Sequence, residues 1–191
     1  LGHLKKQELD HYCKFESKLG GHTSHFVPGV EASTGALGHG LAIAVGKAAA
    51  LKIKKNSKKV IVVVGDGELN EGSIWESALS ANKNKLNNLI VLIDYNKIQS
   101  YGFTSEVCNL EPLSEKWRAF GFKSYEIDGH DLQKLNKLLI KLKFKQKLPT
   151  VIICHTIKGK GIKFAENNPN WHHKSKLSKE DINKMKKHLN A

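Results

Sequence analysis

The chain has 191 residues, 40% hydrophobic and 26% charged, a composition that fits one compact domain able to bury a core without staples. Lys and Arg outnumber Asp and Glu by 31 to 18, and the resulting +13 favours anionic partners: nucleic acid, acidic lipid or phosphorylated small molecules. No apolar stretch approaches the roughly 20 residues of a membrane span, and no secretory pattern opens the chain. Cys13, Cys108 and Cys154 lack metal-ligand spacing and read as reduced thiols of a cytoplasmic protein. The sequence opens on Leu1 in what reads as mid-domain sequence, so an N-terminal truncation is expected.

In chain order, Leu37 to Lys54 carries Leu41, Ala44, Val45, Ala48 and Leu51 at helical spacing. Val60 to Val64 is a continuous β-branched run, the pattern of a strand buried on both faces. Ser73 and Glu76 form a capping-box pair, followed by an expected apolar face of Trp75, Ala78, Leu79 and Leu86. Leu89 to Ile93 is a second strand, Lys123 to Ile127 a weaker third, and Thr150 to Cys154 a fourth, entered through Pro149. Between the last two, Asp131 precedes a helix with Leu132, Leu135, Leu138, Leu139 and Leu142 on one face. Ser178 caps a terminal helix over 178–191, and Tyr12, Trp117 and Phe120 are expected in the core. Alternation of strand and helix predicts an α/β fold, a parallel sheet with helices on both faces, as a single domain over 1–191. The lysines (Lys52 to Lys59, Lys134 to Lys147, Lys174 to Lys187) fall on polar helix sides without interleaved aromatics, so they read as solvated surface rather than a nucleic-acid platform.

Open α/β sheets bind ligands beyond the C-terminal ends of their strands, and two such ends are chemically unusual here. The first runs Val64-Gly65-Asp66-Gly67-Glu68 and the second Ile93-Asp94-Tyr95-Asn96-Lys97. Gly65 and Gly67 permit a sharp turn and close approach to a ligand. Asp66 offers a carboxylate, and Asn96, one strand–helix–strand unit later, an amide oxygen. Two oxygen ligands, completed by diphosphate oxygens and water, suit Mg²⁺, with Ca²⁺ or Mn²⁺ as substitutes. Alone, a Gly-Asp-Gly turn after a strand is only a turn; the Asn at the next strand end makes the pattern specific.

Gly65-Asp66-Gly67 followed by Asn96 resembles the thiamine-diphosphate motif, and the run from Gly65 to Gly72 resembles its transketolase version. The run from Pro28 to Gly40, the Gly21-His22 pair, the loop from Asp94 to Gln99, and Ile157 to Gly161 with Trp171-His172 are similar to transketolase segments in the same order. The resemblance implies a thiamine-diphosphate-binding fold that binds Mg²⁺ through Asp66, Asn96 and the Ile98 carbonyl. It further implies that Gly65, Gly67 and Glu68 meet the diphosphate and that Gly35 and Leu37 lie near the cofactor. His22 would face the reacting centre, while Lys158 and His172, in a closing loop over 156–177, would approach both diphosphate and substrate. Glu71 would lie where two cofactor-binding domains meet. Residue by residue, bland readings stand beside these: a surface His22 in a polar loop, and a solvated Lys158 in a basic one. The family has glycine after the second histidine, where this chain has His173.

Other phosphate motifs fail on spacing: Gly40 to Gly46-Lys47 is no P-loop, and Gly35, Gly38 and Gly40 are in the wrong order for a dinucleotide turn. The histidines show no zinc spacing. Nothing after His172 is long enough to form the second cofactor-binding domain, so the resemblance implies that the catalytic glutamate comes from a C-terminal transketolase-like subunit, unless the chain is a cut piece. Paired chains would form a heterotetramer or a dimer of pairs. The implied reaction is transfer of a two-carbon ketol unit from a ketose to an aldose, the expected substrates being sugar phosphates, with no role for nucleic acid or membrane. Rival readings are a 2-oxoacid decarboxylase or dehydrogenase component, an enzyme of unusual-sugar synthesis, and, from another class, a non-catalytic scaffold or a basic nucleic-acid-binding domain.

Overall fold

The computed structural model describes residues 2–144, 147–174 and 176–189. Residues 145–146, inside the expected lysine-rich run, Ser175 in the expected closing loop, and 190–191 of the expected terminal helix lie outside the described residues. After a largely irregular segment, the elements in order are α1 (His39–Ile53), β1 (Val60–Gly65), α2 (Gly72–Lys83), β2 (Leu89–Tyr95), β3 (Ile98–Gln99), β4 (Gly102–Phe103), α3 (Thr104–Val107), α4 (Leu113–Ala119), β5 (Lys123–Asp128), α5 (Leu132–Phe144), β6 (Thr150–His155) and α6 (Lys179–Leu189).

Four parallel strands form the sheet in the order β1-β2-β6-β5, and β3 and β4 pair as a small antiparallel hairpin beyond the tip of β2. Against one face, α1, α2 and α4 bury a core that runs from Leu41 and Ala48 through Ile74, Ala78 and Leu86 to Val91, Ile153 and Trp117. On the other face Leu138, Leu139 and Leu142 of α5 pack on Ile90, Ile152, Cys154 and Ile127. The four expected strands, α1 and α5 are all present, and the sheet carries helices on both sides.

Several local expectations are corrected. The Val60 run is not buried on both faces: Ile61 and Val63 are 52% and 66% exposed. β1 is an edge strand whose Val60, Val62 and Val64 face the core on the α1 side, while among the described residues α5 reaches only β2, β5 and β6 on the other. Ser73 does not cap α2. That helix opens at Gly72 behind Glu71, without a side-chain cap, because the 3-10 turn Gly67–Asn70 feeds directly into it. Its buried face is Ile74, Ser77, Ala78 and Ala81, leaving Leu79 exposed, and Leu132 is likewise exposed at the start of α5. Trp117 is fully buried and Phe120 packs against the same core, but Tyr12 is exposed, since the 3-10 turn before it buries nothing. At α6 the expected cap is present: Ser178 Oγ accepts the Asp181 N–H at 3.0 Å while an Asp181 carboxylate oxygen accepts the Ser178 N–H at 3.1 Å.

Candidate active site at the tips of the first two strands

In the parallel register Gly65 pairs with Asp94, so the chain leaves β1 at Asp66 and β2 at Asn96 along one edge of the sheet. Asp66 is 3% exposed. One of its carboxylate oxygens accepts the Gly67 N–H at 2.7 Å and the other the Lys97 N–H at 2.5 Å. Burial pushes its pKa up and nearby Asp94 adds to that, while the two amide bonds and the Lys158 ammonium pull it back. A desolvated carboxylate beside a second one gains from a cation in its place. Asn96 Oδ1 accepts the Ile98 N–H at 3.1 Å, a turn that carries β2 into the hairpin.

Glu68 ties the entrance of α1 to the tip of β1. Its carboxylate accepts the Gly38 N–H at 2.9 Å and the Gly65 N–H at 3.2 Å. Gly38 has φ +79, and a Cβ there would sit 2.1 Å from Ser73 Oγ, so glycine lets the segment before α1 pass close over the start of α2.

A cleft of about 490 Å³ opens at this edge. Leu37, Gly65, Asp66, Gly67, Glu68, Glu71, Asn96, Ile98, Lys158 and His172 all line it. Of the residues singled out from sequence, His22 and Gly35 do not. They pack on one another outside the lining, where a Cβ on Gly35 would come 3.1 Å from the His22 ring, and Thr34 N–H bonds the Thr23 carbonyl beside them.

Opposite the strand tips lies the loop after β6. The Thr156 hydroxyl donates to the Asp94 carboxylate, and Asn167 N–H bonds the Lys158 carbonyl at 2.9 Å, folding the loop back on itself. At the loop's far end His172 Nε2 is 3.2 Å from Ser100 Oγ, and its Nδ1 is buried without a partner among the described residues. Burial lowers the His172 pKa, and the charges of Lys158 and His173 lower it further, so the ring is held toward its neutral form. Gln99 Oε1 accepts from Asn70 Nδ2 at 3.1 Å, and its buried Nε2 has no partner among the described residues.

The cleft is also lined by residues to which the sequence pattern gives no role: Asp94, Asn70, Gln99, Ser100, Tyr101, Val107 and His173. Asp94 and Gln99 bracket the second strand-end motif, which was their signal in the sequence. Asn70 fell inside the Gly65 to Gly72 run without a role of its own, and nothing local marked Tyr101 or Val107. Among the described residues no three His, Cys, Asp or Glu side chains gather as a metal site. A cation at this edge would therefore draw on the Asp66 carboxylate, the Asn96 amide and backbone carbonyls. The fit to a metal–diphosphate is chemical: a desolvated carboxylate for the cation, an ammonium at Lys158, and unpaired polar atoms on Gln99 and His172.

Residues 2–191 match the family described as the thiamine diphosphate binding domain of transketolase. The chain is 47% identical over 174 residues to one subunit of the apulose-4-phosphate transketolase of Actinobacillus succinogenes, covering 91% of this chain and 63% of that protein. It is 43% identical to a 6-deoxy-6-sulfo-D-fructose transketolase subunit of a Clostridium species, over 72% of this chain and 50% of that one. Among solved structures, the transketolase of Campylobacter jejuni superposes with a TM-score of 0.87 at 34% identity, covering 96% of this chain and 30% of that chain. The chain thus spans between about half and two thirds of the length of these curated relatives. With the cleft, its flanking elements and these likenesses in agreement, the chain belongs to the transketolase family, in its thiamine diphosphate binding domain.

Proposed function

We propose that this chain is the diphosphate-binding subunit of a split transketolase. The carrying observation is the convergence of Asp66, Asn96, Lys158 and His172 on one cleft, with buried polar atoms of Gln99 and His172 left for a ligand to pair. In this reading Asp66, Asn96 and the Ile98 carbonyl hold Mg²⁺, for which Ca²⁺ or Mn²⁺ can substitute, and Gly65, Gly67 and Glu68 form the turn that meets the diphosphate. When bound, thiamine diphosphate supplies the nucleophilic carbon of ketol transfer. The chain's own residues bind and orient. Lys158 places positive charge on the diphosphate side, and His172, held toward neutrality, accepts or donates a hydrogen bond at a substrate hydroxyl. Leu37 and Gly35 border the cofactor, and His22 serves the reacting centre once a ligand and partner enclose the cleft.

Glu71, on the cleft rim before α2, is the point of contact with a second subunit, which contributes the catalytic glutamate. The split arrangement draws support from relatives that are themselves named as single subunits of a transketolase, and pairs of subunits assemble as a heterotetramer or a dimer of pairs. Three unpaired cysteines support a cytoplasmic location, and no helix among the described residues is long and apolar enough to cross a membrane. The substrates are sugar phosphates, to which a chain of net charge +13 is complementary.

Turnover by the full-length protein in its natural assembly decides the reaction. With thiamine diphosphate and Mg²⁺ it should transfer a two-carbon unit from ketose phosphates to aldehyde acceptors. Consumption of 2-oxoacids with no ketol transfer would overturn the assignment in favour of a decarboxylase or dehydrogenase component.

A further inference from the structure

The loop that carries Lys158 is fastened from outside the cleft by a histidine. His130 sits in the turn between β5 and α5, where its own N–H bonds Asp128 Oδ1 at 2.9 Å. Its Nε2 is 2.9 Å from the backbone nitrogen of Ile157, which donates to it. An amide N–H can only donate, so Nε2 must carry the lone pair and the ring proton must lie on Nδ1. The preceding residue is fastened as well, its hydroxyl donating to Asp94 on β2. Two consecutive residues are thus pinned by side chains from two different elements, and Lys158 comes next in the chain.

We propose that His130 is the positioning residue for Lys158: its neutral imidazole holds the loop so that the ammonium faces the cleft, and protonation of the ring releases it. Protonation replaces the acceptor with an N–H that opposes the Ile157 N–H, so the contact turns from attraction to repulsion. The proposal rests on the reading of Lys158 as a residue that binds the diphosphate. The pocket around His130 is also lined by Asp94, Cys154 and Lys158 itself. Asp128 and Asp131 stand on its own turn, with Asp131 paired to Lys134 of α5, and at the end of β6 His155 is paired with Glu126 of β5. Burial pushes the Cys154 thiol up, away from the range in which an imidazole titrates.

Calorimetric titration of the full-length protein, in the assembly in which it purifies, with Mg²⁺–thiamine diphosphate tests this. Wild type, H130A, H130Q, K158A and the double variant H130A/K158A are compared from about pH 8 down to about pH 5.5. Loss of one hydrogen bond is worth about a fivefold change in affinity. H130A should bind about fivefold more weakly than wild type at high pH, whereas wild type should weaken to that level or below it only as pH falls. In H130Q an amide oxygen replaces the Nε2 lone pair and does not titrate, so binding should recover and the acid loss at this residue should vanish. In the K158A background, H130A should cost nothing further, and nitrogen NMR of the wild-type ring should place its proton on Nδ1. Wild-type affinity for H130A at every pH, an equal loss from H130A with and without Lys158, or persistence of the full acid loss in H130Q would overturn the proposal. Wild-type affinity for K158A would instead strike the underlying reading of Lys158, whatever the His130 variants do.

Discussion

His173 stands at the cleft rim with φ +54, in the left-handed region that favours glycine. Its ring meets that of His172 edge to face, centroids 4.2 Å apart. A non-glycine residue there costs about 1 kcal/mol of backbone strain, which the ring contact only partly offsets. H173G should therefore raise the stability of the protein by up to about 1 kcal/mol in urea denaturation; a loss of stability would mean that the imidazole contact outweighs the strain. The neighbouring His172 gives a signed pH effect. Its pKa is lowered, so unfolded chains take up the proton first as pH falls through the ordinary histidine range. The stability linked to this ring is complete above the unfolded value and erodes as pH drops toward the folded one. In histidine NMR titrations the His172 midpoint should lie below that of an unfolded histidine and rise in K158A, which removes one of the charges that depress it. An unmoved midpoint would contradict the electrostatic account.

Elements near the cleft hold their positions through a few polar anchors. Glu68 is one, because it satisfies amide donors from both α1's entrance and β1's tip. E68A leaves both without that partner and should cost about 2 kcal/mol, with E68Q costing less because one oxygen acceptor remains. An E68A protein with the denaturation midpoint of wild type would show that water replaces the carboxylate at no cost. By contrast α6 buries no residue, so its cap matters locally. S178A should speed amide exchange across residues 179–189 without moving the melting temperature of the sheet; a shift in that temperature would mean that α6 is coupled to the core. What the sequence disclosed at this scale follows the same physics. Periodicity marked α1, α5 and all four sheet strands because burial against a neighbour sets those patterns. It misjudged β1, since an unbroken β-branched run looks alike whether one face or two are covered, and Ile61 and Val63 proved exposed. The Ser73 pair failed as a cap because the preceding turn, not the local side chain, fixes where α2 begins.

At the scale of the whole molecule, a parallel sheet delivers two strand tips to one edge, and loops from distant parts of the chain close around them. The tip residues were legible because strand-end chemistry is local: Asp66, Asn96 and the glycines are contiguous with the strands that carry them. Lys158 and His172 were legible through family resemblance, since no spacing rule shows that a loop after β6 folds back over β1 and β2. His130 escaped notice for a related reason, and Gln99 was marked only as the end of a loop, since the contact each makes exists only in the folded chain. His22 and Gly35 lie outside the cleft lining, so the roles proposed for them depend on what encloses it.

In the proposed site a buried carboxylate and an amide at adjacent strand tips hold a divalent cation that carries a diphosphate. Calorimetry of thiamine diphosphate binding to the full-length protein, in its natural assembly and with and without Mg²⁺, tests it most directly. Binding should require the cation, and D66N and N96A should each weaken it by about a hundredfold, or about 2.7 kcal/mol. Binding of equal strength without a divalent ion, or wild-type affinity in D66N, would contradict it.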